Sequence, residues 1–108
     1  MAELNSINPD QLHGWSEDPP QLLDVRGDGE VRRGVIPGMI HIPMHLIPVR
    51  YGELDKDRPV VVYCASGARS AQVAHYLLQQ SFEEVYNLSG GIQAWSRQYP
   101  VATEDQGL

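Results

Sequence analysis

The sequence predicts an α/β fold, an open parallel sheet with helices on both faces, and three observations carry that prediction. Gln21-Leu22-Leu23-Asp24-Val25 and Val60-Val61-Val62-Tyr63-Cys64 are short, mainly apolar runs without polar alternation, the pattern of strands covered on both sides. Ala71, Ala74, Leu77 and Leu78 recur at helical spacing, with Gln72, Gln79 and Gln80 falling largely elsewhere, so residues 69–80 read as an amphipathic helix. Strand and helix signals alternate along the chain, which implies right-handed crossovers between parallel strands.

Taken in order, Asn8-Pro9-Asp10-Gln11-Leu12 sets a capping residue before a proline, and Trp15 follows Leu12 at helical spacing, so a short helix is expected over 9–16. Pro19-Pro20 breaks the chain before the strand at 21–25. Gly27, Gly29 and Gly34 make 26–38 a loop, with one helical turn at 30–33. Met39-Ile40-His41-Ile42 reads as a brief strand stopped by Pro43, and 44–54 as a short helix before a polar turn that ends at Pro59. The β-branched run 60–64 is the strongest strand in the chain. After the helix at 69–80, Glu84-Val85-Tyr86-Asn87-Leu88 supplies another strand and Ser89-Gly90-Gly91 a turn. Ile92–Tyr99 forms a last helix ended by Pro100, and the tail over 103–108 is expected to be loose.

A length of 108 residues suits one domain spanning 1–108, and 42% hydrophobic with 20% charged residues is ordinary globular usage. A net charge of -6 opposes a phosphate backbone or an anionic lipid surface, so neither nucleic acid nor membrane is expected as a partner. The first residues lack the basic start and apolar run of a secretion signal, and the reading is cytoplasmic. With one cysteine the chain can form neither an internal disulfide nor a Cys-x-x-Cys pair.

That cysteine, Cys64, stands at the carboxyl end of the central strand, where ligands sit in open α/β sheets. Cys64-Ala65-Ser66-Gly67-Ala68-Arg69-Ser70 then crosses to a helix on small residues, leaving backbone N–H groups free to form a nest for an anion. A nest above a helix N-terminus favours a thiolate, a persulfide or a bound oxyanion and lowers the thiol's pKa. Gly67 admits a positive φ that helps the loop curl. Arg69 either receives an oxyanion or pairs with a carboxylate and braces the loop. The plainer alternative is that Cys64 is a small buried hydrophobe ending a core strand.

The loop resembles the active-site motif of the rhodanese family, Cys-x-x-Gly-x-Arg, matched by Cys64, Gly67 and Arg69. Leu23-Asp24-Val25-Arg26, Ile36-Pro37-Gly38 with Ile42-Pro43, Val61-Val62-Tyr63-Cys64, and Gly90-Gly91-Ile92-Gln93-Ala94-Trp95 look like that family's other signatures in the same order. The resemblance implies a three-layer fold with a five-stranded parallel sheet, and a double displacement without cofactor. Cys64 would be the nucleophile, with Ala65, Ser66, Gly67, Ala68, Arg69 and Ser70 cradling persulfide and substrate. The partners implied are a small sulfur donor such as thiosulfate and a thiophilic acceptor such as cyanide or a thiol, or else a sulfur-relay protein. The sequence departs from the family pattern at Val35, where histidine is usual, and at Val31, where an aromatic is common; both read as local packing differences.

Other polar residues take plainer readings. Asp24 and Arg26 read as a structural ion pair. His41 and His45 have helical metal-ligand spacing, but Pro43 interrupts it and a third ligand is not evident, so no metal site is assigned. His13 and His75 read as surface or packing residues, Trp15 and Trp95 as core, and Glu53, Asp55 and Asp57 as a solvated loop. Two rival functions remain. Cell-cycle dual-specificity phosphatases share the implied fold, but their loop places five residues between cysteine and arginine, against four here. A rhodanese-like binding module without catalysis would typically lack the cysteine.

Overall fold

The structure is a computed structural model and describes residues 4–103. Its centre is a parallel sheet of five strands: β1 (Asn5–Ile7), β2 (Gln21–Asp24), β3 (Ile40–His41), β4 (Val60–Tyr63) and β5 (Val85–Leu88). They lie in the order β1-β5-β4-β2-β3, so β4 is central and β1 and β3 are the edges. The helices are α1 (Pro9–His13), α2 (Asp28–Val31), α3 (Ile47–Arg50), α4 (Ala68–Gln79) and α5 (Gly91–Trp95), with 3₁₀ turns at Met44–Leu46 and Tyr51–Glu53 flanking α3.

Period-two side-chain alternation on the central strand divides the core into two layers. Val60, Val62 and Cys64 join Leu23, Val73, Ala74, Leu77 and Phe82 on the face covered by α3 and α4. Val61 and Tyr63 join Ile7, Leu12, Leu22, Leu88 and Trp95 on the face covered by α1 and α5. Both faces of β4 are dry, which is why its sequence shows no polar alternation.

The expected elements are present, the strands and end helices with shorter bounds, α2 and α4 displaced by one or two residues toward the N-terminus, and the helix expected at 44–54 broken into α3 between two 3₁₀ turns. The helix expected at 9–16 ends at His13, where the Gly14 N–H donates back to the Asp10 carbonyl and the Trp15 N–H to the Leu12 carbonyl. Asn8 caps it in a reciprocal box with Gln11. The last helix spans Gly91–Trp95 rather than 92–99, because beyond Trp95 the backbone passes into i→i−3 turns, Arg97 donating to Ala94 and Gln98 to Trp95, while the Trp95 indole donates to the Pro100 carbonyl. The edge strand β1 had no counterpart among the expected elements. Only Ile7 of its three residues is buried, and its pairing comes from β5, through Asn5 with Tyr86 and Ile7 with Leu88.

Val35 and Val31, the two departures from the family pattern, are both buried. Val35 makes an antiparallel bridge to Ala102, exchanging two 2.8 Å hydrogen bonds. Ala102 is therefore held to the domain, whereas the tail expected to be loose lies outside the described residues from 104 onward. His13 stacks on Tyr99 at 4.0 Å, so it is a packing residue. Among the described residues, no helix is long and apolar enough to cross a membrane.

Candidate active site

Cys64 is the first residue past β4 and is 1% exposed. The chain then turns sharply through Gly67, whose φ of +110° starts α4. A Cβ at Gly67 would meet only ordinary contacts, 3.7 Å from the Gly90 nitrogen and the Leu88 carbonyl, so the left-handed backbone rather than space selects glycine. This curl aims donors at one sulfur. Cys64 Sγ accepts from the Gly67 N–H at 3.1 Å and the Ser70 N–H at 3.4 Å, and lies 3.3 Å from Ser70 Oγ.

Burial pushes the Cys64 thiol up, but hydrogen bonds from the Ser70 hydroxyl and the Ser70, Gly67 and Ser66 amides outweigh it and hold the thiol below its ordinary value. Among the loop amides, those of Ser66, Gly67 and Ser70 thus bear on the sulfur. The Ala65 carbonyl is turned outward, and Ala68 begins the helix. Removing the hydroxyl by Ser70→Ala should raise the Cys64 pKa by about one pH unit, since a thiolate loses one hydrogen bond. Titration of the thiolate's ultraviolet absorbance measures this, and an unchanged midpoint would show that the amides alone suffice.

The loop is backed by the turn that the sequence marks as Ser89-Gly90-Gly91. From the first turn of α5, the Ile92 N–H donates to the Cys64 carbonyl at 3.0 Å and the Gln93 N–H to the Ala65 carbonyl at 3.1 Å. Gly91 lets the two segments approach: a Cβ there would lie 2.5 Å from both carbonyl oxygens.

Arg69 does not reach over the sulfur. Its guanidinium forms a bidentate pair with Glu30 of α2, at 2.7 and 2.8 Å. Of the two roles open to it, this geometry matches the brace. Glu30 also accepts from the Gly27 N–H, and these hydrogen bonds, led by Arg69, hold its carboxyl below the usual 4.5, at about 2. The sign follows from linkage: a lowered folded-state pKa contributes stability above pH 4.5 that is lost as pH falls toward 2. Because both side chains are about one-third exposed (39% and 31%), solvent screening limits the pair to under about 1 kcal/mol. Glu30→Gln should therefore lower stability by under about 1 kcal/mol near neutrality, where the pair's contribution is fully present, and the difference from the wild type should vanish as pH falls from 4.5 to 2. Urea unfolding at a series of pH values checks this; parallel curves for the two proteins would contradict it.

Asp24 and Arg26 are an ion pair, as expected, and almost fully buried beside the site. Arg26 donates to Asp24 through Nε and Nη2 and also to the Gly34 carbonyl at 2.7 Å, tying the loop around α2 to β2. Tyr63 joins this group by accepting from the Ile36 N–H at 3.1 Å. His41 Nε2 donates to the Arg26 carbonyl at 2.7 Å. An open depression lined by Val25, Gly27, Glu30, Pro43, Met44, His45 and Arg69 leads away from the loop. A more apolar groove beside α1 and α5, with Trp15 and Trp95 in its walls, contains none of the loop residues.

One polar side chain at the centre of the site was not singled out from sequence. Asn87 of β5 accepts from the Ser70 hydroxyl at 2.5 Å and donates through Nδ2 to the Gly67 carbonyl at 3.1 Å. The available signal was a polar residue inside the short run Val85–Leu88, next in the sheet to the cysteine strand.

Comparison with known proteins agrees with this geometry. The chain is 54% identical over 97 residues to a protein of Allochromatium vinosum named sulfurtransferase, covering 90% of each. It is 34% identical to the thiosulfate sulfurtransferase GlpE of Stutzerimonas stutzeri, over 96% of this chain and 95% of that one. A rhodanese-like domain protein from Staphylococcus aureus superposes with a TM-score of 0.84 at 34% identity, over 92% of this chain and 97% of the other. The sequence pattern of the rhodanese-like domain matches residues 8–98, which take in every helix and all strands but β1, and so the chain belongs to the rhodanese-like family.

Proposed function

We propose that the protein is a sulfurtransferase of the rhodanese kind that carries sulfane sulfur as a persulfide on Cys64. The observation that carries this reading is a lone thiol enclosed by three converging donor groups, those of Gly67 and Ser70, at the start of α4. Relatives named sulfurtransferase and thiosulfate sulfurtransferase support it.

In the first step the Cys64 thiolate attacks the outer sulfur of a donor such as thiosulfate. The new S–S bond forms as the donor's own S–S bond breaks, and sulfite leaves with the electron pair. The negative charge moves to the outer sulfur of the persulfide, beside the loop amides and the N-terminal end of α4. In the second step a nucleophile such as cyanide or a thiolate attacks that outer sulfur and the Cys64 thiolate departs. Charge and electrons balance in both steps without a cofactor. Enclosure of Sγ favours donors whose transferable sulfur is terminal, as in thiosulfate or a persulfide, because a bridging sulfur is flanked by bulk on both sides. A persulfide on a partner protein meets the same requirement, so a relay role uses the same chemistry.

Intact mass spectrometry tests the reading. Incubation with thiosulfate should add one sulfur, cyanide should remove it, and peptide mapping should place it on Cys64. Failure to gain sulfur from thiosulfate and from a low-molecular-weight persulfide alike would overturn the proposal.

A further inference from the structure

Ser70 has one hydroxyl proton and two acceptors for it. Asn87 Oδ1 lies 2.5 Å away and Cys64 Sγ 3.3 Å away. The orientation of Asn87 is fixed independently, because the Gly67 carbonyl can only accept and must face Nδ2, leaving Oδ1 toward Ser70. Oδ1 has no proton to offer. Ser70 therefore serves either the asparagine or the sulfur at any moment.

We propose that Asn87 is a positioning residue that competes with Cys64 for the Ser70 proton and so biases Sγ toward the thiol and the persulfide, the two states in which Sγ itself carries no charge. This rests on the reading of Cys64 as the sulfur carrier and adds a control to it. With the thiol protonated, S–H donates to Ser70 Oγ, and Ser70 donates to Asn87. Ionisation of Cys64 draws the Ser70 proton to the sulfur and strands Oδ1, a cost charged to the thiolate. Once the persulfide forms, Sγ bonds two atoms and carries no charge, so the Ser70 proton returns to Asn87. The competition thus disfavours only the bare thiolate, the species that both half-reactions must pass through. An enclosed thiol whose charged form is held back in this way is protected from adventitious oxidation between turnovers, since the thiolate is the reactive species.

The charged and titratable groups facing this region come from several elements. They are Asp24 at the end of β2, Arg26 just after it, Glu30 of α2, His45 of the 3₁₀ turn Met44–Leu46, and Arg69 of α4. Asp24 is paired with Arg26 and Glu30 with Arg69, and neither pair includes Ser70 or Asn87. Replacing Asn87 leaves those charges in place.

The test is an ultraviolet titration of Cys64 in the full chain, which requires no sulfur donor and so separates this proposal from that of sulfur transfer. Asn87→Ala removes the competing acceptor and should lower the Cys64 pKa by about half to one pH unit, a three- to tenfold gain in thiolate below the midpoint. Asn87→Asp places a stronger acceptor and a negative charge there and should raise it. In a Ser70→Ala background, Asn87→Ala should leave the midpoint unchanged, because no shared proton remains. A second readout follows the persulfide: at a fixed thiosulfate-to-sulfite ratio, Asn87→Ala should hold a smaller persulfidated fraction than the wild-type chain. The proposal is overturned if Asn87→Ala titrates at or above the wild type, or if its downward shift persists without the Ser70 hydroxyl; either result would assign Asn87 to bracing the Gly67 peptide alone.

Discussion

Gly91→Ala should be among the most damaging single substitutions in the chain, costing about 3–6 kcal/mol of stability and with it any sulfur uptake at Cys64. A methyl group at this position would lie 2.5 Å from the Cys64 and Ala65 carbonyl oxygens and 2.6 Å from the Ala65 carbonyl carbon, all backbone atoms that cannot rotate away. The φ of +59° adds roughly 1–2 kcal/mol of left-handed strain for a residue with a side chain. Relief would require α5 to retreat, which breaks the hydrogen bonds from the Ile92 and Gln93 amides to the cysteine loop. Those bonds hold the carbonyls outward so that the neighbouring amides face the sulfur. Gly38→Ala separates strain from collision, since Gly38 has φ +87° with nothing within 4 Å of a Cβ, and it should cost about 1 kcal/mol. Urea unfolding of both variants checks the difference. Equal losses would show that the collision at Gly91 is absorbed by movement elsewhere.

The contrast between these two glycines also explains what could be read from the sequence. Gly90-Gly91 was legible as a turn because glycine pairs mark turns, but its purpose was not, since a close approach between residues 64–65 and 91 is set by tertiary packing. The central strands were legible for the opposite reason: burial on both faces leaves a local signature in Val60–Tyr63 and Gln21–Asp24. Edge strand β1 leaves almost none. Asn5 and Ser6 are exposed, and their strand state is imposed by the backbone of β5.

The site divides in the same way. Cys64, Gly67 and Ser70 lie within seven consecutive residues, and local geometry alone, a strand end, a left-handed turn and a helix start, brings the donors to the sulfur. Glu30 and Asn87 reach the loop from 39 and 17 residues away. The sequence left the function of Arg69 open between oxyanion binding and bracing because no local pattern names its partner. A carboxylate 39 positions upstream, carried in by α2, matches the brace.

That carriage depends on Asp24 and Arg26, and breaking their pair should have the second large effect. Asp24→Ala should destabilise the fold by about 3–5 kcal/mol, the range for removing one partner of a buried pair. Both side chains are within the interior, 0% and 6% exposed, and Arg26 would be left with a charge facing the Gly34 and Glu30 carbonyls and the Tyr63 ring but no counter-charge in contact. The joint replacement Asp24→Leu with Arg26→Met should cost less than Asp24→Ala alone, because no uncompensated charge remains in the core. Its consequence for the site differs from its consequence for stability. The double variant loses the Arg26 hydrogen bonds that tether the α2 loop, so Glu30 is released and Arg69 with it. The recovered protein should then unfold near the wild-type denaturant midpoint yet no longer show the pH dependence between 4.5 and 2 that the Glu30–Arg69 pair confers. Should that pH dependence persist in the double variant, α2 would be held by Val31 and the Val35–Ala102 bridge, and the buried pair would serve the strand end alone.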